Sequence, residues 1–140
     1  MAIGDGIGLL NLQLALRDAL NNALSDPLTG LAGGTPVSKV SSWSGNDSAA
    51  YHDVVSWTVG AGKTGELSEI GLISNNLPKT YWRLSIAGVE QFTDLILQFP
   101  VSQPFPRGNR LAAGEVVLVQ AKSVDGATVN AQGTIVGSER

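Results

Sequence analysis

The chain has no cysteine, one histidine and one methionine among its 140 residues, and only 15% of them are Asp, Glu, Lys or Arg. Without cysteine, neither a disulfide framework nor a thiolate metal site can hold the fold, so folding rests on apolar burial and backbone pairing. The lone His52 excludes any site that needs two imidazoles. Nine basic and twelve acidic residues give a formal charge of -3, scattered rather than blocked. The basic footprint of a direct nucleic-acid binder is therefore missing. No apolar run approaches the roughly 18 residues of a membrane-spanning helix. The opening MAIGDGIGLL has no basic region and is not read as a signal peptide. Asn46-Asp47-Ser48 matches a glycosylation sequon, but with no export signal it reads as a loop.

What is present divides into three parts. Asp5 can cap a helix running from about Gly6 to Ser25, which Asp26-Pro27 would stop, so residues 1–29 form an N-terminal helical segment for assembly or anchoring. At about 100° per residue, Leu9, Leu12, Leu16, Leu20 and Leu24 share one face, and Leu10 and Leu14 widen the stripe. Two arrangements can bury it: the helix laid across its own sheet, or a helix shared between subunits of a homo-oligomer. The stripe's width favours the second. Residues 30–50, rich in Gly, Ser and Ala and interrupted by Pro36, keep no period and read as a linker or extended arm. Trp43 is the one large anchor there.

From residue 51 the period becomes two, which predicts a β domain over 51–140. Val55, Trp57 and Val59 alternate in a first strand, followed by the turn-rich GAGKTGE as a hairpin connection. Leu67 to Ser74 is a second strand, and in a third Trp82, Leu84 and Ile86 oppose Tyr81, Arg83 and Ser85. Ala87-Gly88 opens a tight connection into Gln91–Phe99, where Phe92 and Leu95-Ile96-Leu97 suggest a buried strand. Glu115 to Ser123 alternates through Val117, Val119 and Ala121, and Asp125-Gly126 signals a hairpin into Ala127–Val136. That makes six strands, rising to seven or eight if the arm and the Arg110 region contribute. The connections are too short for parallel crossovers. The fold class is mainly β: an antiparallel β-sandwich, jelly-roll-like, preceded by an α-helix and an extended arm.

The chemistry on offer is thin. Gly60-Ala61-Gly62-Lys63-Thr64-Gly65 contains GKT, but Trp57 stands where a phosphate-binding loop needs its first glycine, and no helix follows. His52 and Asp53 are adjacent on a strand and diverge, as do Glu66 and Glu69. Tyr81, Trp82, Phe92, Phe99 and Phe105 could line a sugar-binding groove, although aromatics so spread are more often core and interface material. No catalytic, metal or cofactor residues are assigned. The segment Phe99–Arg110 carries three prolines, which restrict it before docking, and Arg107 and Arg110, whose forked donors suit carboxylates. With Trp43 and Phe105 these arginines are the candidate partner-docking residues. The alternative is a rigid edge that blocks strand-on-strand aggregation.

Four stretches, VGAGKTGELSEIGLI, Thr80 to Phe92, FPVSQPFPRGNRLAAG and VVLVQAKSVDGATVNAQGTIVG, together resemble small β-sandwich proteins among the virion genes of tailed bacteriophages, namely capsid decoration or cement proteins. The resemblance spans residues 52–137. It implies a jelly-roll-like domain that oligomerises, often as a homotrimer, on the capsid surface. There it would brace the major capsid protein, with an N-terminal arm or helix serving assembly. It implies no catalytic residues. Tail and adsorption proteins reuse similar sandwiches, so the alternative is a tail or receptor-binding component that recognises a host surface glycan.

Overall fold

A computed structural model of the chain describes residues 34–140, and for residues 106–108 the backbone alone. The expected N-terminal helix and its leucines lie outside the described residues. Eight strands follow: β1 (Thr35–Gly45), β2 (His52–Thr58), β3 (Gly65–Ser74), β4 (Thr80–Ile86), β5 (Val89–Leu95), β6 (Val101–Leu111), β7 (Val116–Ser123) and β8 (Val129–Glu139). They form two four-stranded antiparallel sheets, ordered β1-β8-β3-β6 and β2-β7-β4-β5.

The pairing is nested. β4 pairs β5, β3 pairs β6, β2 pairs β7 and β1 pairs β8, so the chain is one long antiparallel ribbon folded across two layers. The ribbon closes at Ala87-Gly88, whose φ angles of 53° and 78° give the two-residue turn that suits strand twist. Every other pairing joins strands distant in sequence.

This nesting corrects two expectations. Asp125-Gly126 does form a turn, with Gly126 at φ 87° and the Asp125 carboxylate accepting the Ala127 N–H at 3.2 Å. It links strands of different sheets, however, and is not a hairpin. The Gly60–Thr64 turn likewise carries the chain from one sheet to the other. Turn chemistry sets the chain's reversal but not which strand will accept its hydrogen bonds.

Two further expectations shift for the same physical reason. Residues 35–45, read within a linker or arm, make an edge strand that pairs with β8 along all eleven residues. It shows no apolar period because backbone pairing holds it, and most of its side chains are exposed. Conversely, the expected buried strand over Gln91–Phe99 is edge strand β5, largely exposed and ending at Leu95. Ile96 and Phe99 are exposed beyond it.

The core fills the space between the sheets. Leu67, Ile70, Trp82, Val117, Val119, Leu111 and Ile135 are almost fully buried. The alternation of Trp82, Leu84 and Ile86 inward and of Val117, Val119 and Ala121 inward is as the sequence pattern predicts. Both Val54 and Val55 are buried because a bulge between Asp53 and Val55 interrupts the period of β2. β2 lies over β8, whose inner face includes Ala131, Gly133, Ile135 and Gly137. A Cβ on Gly133 would stand 2.6 Å from a Val55 methyl. One on Gly137 would stand 2.9 Å from the Trp57 ring and collide with the Glu66 carbonyl. Gly65, across the ladder, leaves the same ring room from β3.

Gly137→Ala should therefore destabilise the domain by about 1–3 kcal/mol, the cost of an overpacked core. Chemical denaturation followed by tryptophan fluorescence measures it. An unchanged midpoint would mean that the sheets can separate without penalty.

Candidate interaction surfaces

Among the described residues, no group of three or more His, Cys, Asp or Glu side chains converges as a metal site would require. The GKT segment is a solvent-exposed turn: Lys63 N–H donates to the Gly60 carbonyl at 3.1 Å, and β3 follows at Gly65. There is no helix N-terminus for a phosphate. The surfaces that remain are apolar, aromatic or backbone in character.

The first is a cleft at the open end of the sandwich. Edge strands β5 and β6 belong to different sheets, and between them lies a cavity of about 220 Å³ lined by Ile70, Leu72, Leu84, Phe92, Leu95 and Phe105, among others. β5 and β6 bring the larger Phe92, Leu95 and Phe105 to this cleft, in place of small inner-face residues like those of β8. Exposed Ile96 and Phe99 sit in the link between the two strands, so apolar surface continues from the cleft onto the rim. Phe105 is half-buried in this cleft, while Arg110 is exposed on β6 opposite Glu66. Arg107 lies in β6, and its side chain is outside the described residues.

Trp43 belongs to another surface. It lies in β1, at the far edge of the sheet from β6, with β8 and β3 between them. At about 4.8 Å per strand, that is roughly 14 Å across the sheet, and the register sets Trp43 and Phe105 further apart along the strands. Its indole stacks on His52 with centroids 4.7 Å apart and planes 6° from parallel. Gly45 makes the stack possible, since a Cβ there would stand 2.7 Å from the indole. His52 Nε2 lies 2.8 Å from Asp47 Oδ2, and Asp47 Oδ1 accepts the backbone N–H groups of Ala49 (2.8 Å) and Ala50 (3.3 Å). The bond from His52, followed by these N–H donors, holds the Asp47 carboxyl below its ordinary value of 3.8. His52 thus partners Asp47 and not the adjacent Asp53. No sequence spacing signals that pair, since the β1–β2 corner creates it.

The third surface is the outer face of the β2-β7-β4-β5 sheet. Tyr51 lies across it, its hydroxyl bonded to the Asp94 carboxylate and accepting the Asp94 N–H at 2.8 Å. The Arg83 guanidinium stands 4.3 Å and Lys122 Nζ 4.6 Å from its ring centroid. Arg83 also donates twice to Gln120, which donates in turn to Asp53. Burial, and then the Asp94 carboxylate, raise the Tyr51 hydroxyl above its ordinary range. The network satisfies itself and holds Asp94 at φ 50°, an uncommon backbone state for a non-glycine residue. The five aromatics considered for a sugar groove do not all share one surface. Trp82 is fully buried, Phe92 and Phe105 line the cleft, Tyr81 is on the outer face and Phe99 is on the rim.

No known protein family matches the sequence, and no curated protein is similar to it. Solved structures are. A chain of the acidic stable capsid structure of Helicobacter pylori bacteriophage KHP30 superposes with a TM-score of 0.54 at 11% identity, covering 76% of this chain and 93% of that one. A chain of the cyanophage Pam1 capsid asymmetric unit gives 0.46 at 12% identity over 75% and 85%. Latent PorU of Porphyromonas gingivalis gives 0.33 at 10% identity over 74% of this chain and 13% of that one. The likeness to the KHP30 chain is one of fold.

The carboxylates predict an acid response. Asp47, Asp125 and Glu139 all have lowered pKa values in the folded state, so the unfolded chain takes up protons first as pH falls. Their contribution is complete above the ordinary values of 3.8 and 4.5 and is lost as pH falls through the lowered folded values. Denaturation midpoints should therefore fall below about pH 4, and Asp47→Asn should flatten part of that slope. An identical slope in the variant would show that the corner pair does not couple to folding.

Proposed function

We propose that this chain is a non-enzymatic structural protein of a bacteriophage virion, a decoration protein that binds and stabilises the major capsid protein shell from its surface. The observation that carries the reading is the fold likeness to the KHP30 capsid chain, which extends over nearly all of that chain. The nested pairing and the strand orders β1-β8-β3-β6 and β2-β7-β4-β5 support a jelly-roll assignment for the sandwich. In this reading the open β5–β6 end, with Phe105, Ile96 and Phe99, docks on shell subunits, and Arg107 and Arg110 meet acidic groups there. Trp43, at the β1–β2 corner, supplies a second contact. The leucine stripe of residues 1–29 joins copies into a homotrimer, so that several weak contacts act together.

The test is addition of the purified chain to shells that lack it, followed by sedimentation. Saturable binding, with shells that resist heating better than bare ones, is the expected result. Absence of binding, together with protection of the protein by host surface glycan, would transfer it to a tail or receptor-binding role. For the oligomer, replacing Leu12, Leu16 and Leu20 with Ser should lower the native mass while the β-type circular dichroism persists. An oligomer of undiminished mass would remove the stripe from the interface.

A further inference from the structure

Each sheet has two edges, and three of the four are blunted. β5 pairs β4 through two register shifts and carries the left-handed Asp94 one residue before its end. β6 carries Pro104 and Pro106, which cannot donate to a ladder, and shifts register against β3. β2 is seven residues long and bulged at Asp53–Val55. These are the devices by which a protein prevents unwanted pairing of its strand edges.

β1 has almost none of them. It runs eleven residues in unbroken register with β8 and has its only proline at the second position. Among the described residues nothing pairs with its outer edge. Its centre is Val40, 59% exposed although apolar. A long, regular edge with an apolar centre is a template for another strand.

We propose that the β1 edge is a self-recognition surface: β1 pairs antiparallel with β1 of a second copy about a two-fold axis at Val40, giving one continuous eight-stranded sheet. The register follows from geometry. Facing residues of an antiparallel pair share a face of the sheet, so a two-fold must pass through one residue. Centring on Val40, the midpoint of Thr35–Gly45, keeps all eleven residues paired. It also gives the best side-chain matches. Val40 meets its equivalent, Ser38 meets Ser42, and Lys39, the strand's only charge, meets Ser41. Val37 meets Trp43, and both are half-buried on the inner face. A Lys39 centre would set two ammonium groups opposite each other, and a Ser41 centre would set Lys39 against Trp43. Lys39 and Asp53 both line the groove between β1 and β2. The inference is independent of the shell-binding reading, since it rests on the edge alone.

The absence of cysteine makes the test clean. In full-length protein, Val40→Cys places two thiols directly opposite each other, about 4.5–5.5 Å apart at Cβ, within reach of a disulfide after small adjustment. Under dilute oxidising conditions it should form a covalent dimer at least tenfold faster than Ser38→Cys or Ser42→Cys. An equal mixture of those two variants should cross-link to each other at a rate like that of Val40→Cys. Circular dichroism confirms that each variant is folded. A monomeric Val40→Cys, or equal rates for all three single variants, would overturn the proposal. So would failure of the mixed pair to cross-link.

Discussion

The seating of Trp57 sets the geometry of the sandwich. Its ring comes from β2 in one sheet and rests where Gly65 and Gly137 leave an opening in the other. Its indole N–H donates to Glu139 at 2.8 Å, and the same carboxylate oxygen accepts the Gly60 N–H at 3.2 Å. One side chain thus joins both layers by packing and by a hydrogen bond, and the last residues of β8 hold the turn that leads into β3. Those donors keep the Glu139 carboxyl below its ordinary range. Trp82 provides the contrast: equally buried, its N–H has no acceptor among the described residues. An unpaired buried donor costs about 1–3 kcal/mol. The central Trp82 therefore contributes through apolar area alone, whereas Trp57 also fixes orientation.

Where β2 meets β8, glycine and alanine let the layers close, and at β5 and β6 the larger Phe92, Leu95 and Phe105 hold them apart around the apolar cleft. Closing one side and opening the other divides the surface by role. The β1 side presents an uninterrupted backbone edge, and the β5–β6 side presents apolar side chains. The outer face between them is occupied by the self-satisfied network of Tyr51, Arg83, Lys122 and Asp94.

The inward alternation of β4 and β7 was legible in the sequence because each side chain there answers to a single face. The partners of those strands were not. Only the Ala87-Gly88 turn joins sequence neighbours in the ribbon, so it alone behaves as a local hairpin. At Asp125-Gly126 the same chemistry serves a change of sheet, which depends on where β8 finds β1 and β3. The proline-bearing stretch hid strand β6 because Pro104 and Pro106 argue against a central strand while leaving an edge strand open. Edge strand β1 was hidden for the opposite reason: its backbone pairs fully while its side chains remain in water, so no period marks it. The His52–Asp47 pair depends on a corner between two sheets and leaves no trace in spacing.

The same considerations bear on what such a chain can do. Catalysis needs groups held at perturbed protonation in a shielded pocket. Here the carboxylates with shifted values, Asp47, Asp125 and Glu139, are held down by hydrogen bonds that secure turns and a tryptophan. Their chemistry is spent on geometry. The features without an internal partner are of another kind: the β1 edge, the cleft and the exposed Ile96 and Phe99. Each is satisfied by burial or by backbone pairing, and each is an extended surface. An extended surface gains little from a small molecule and much from a second protein, because hydrogen bonds along a strand and apolar area both add with length. In the proposed reading, a fold that spends its shifted carboxylates on turns and a tryptophan, and leaves the β1 edge and an apolar cleft without partners among the described residues, is suited to being joined.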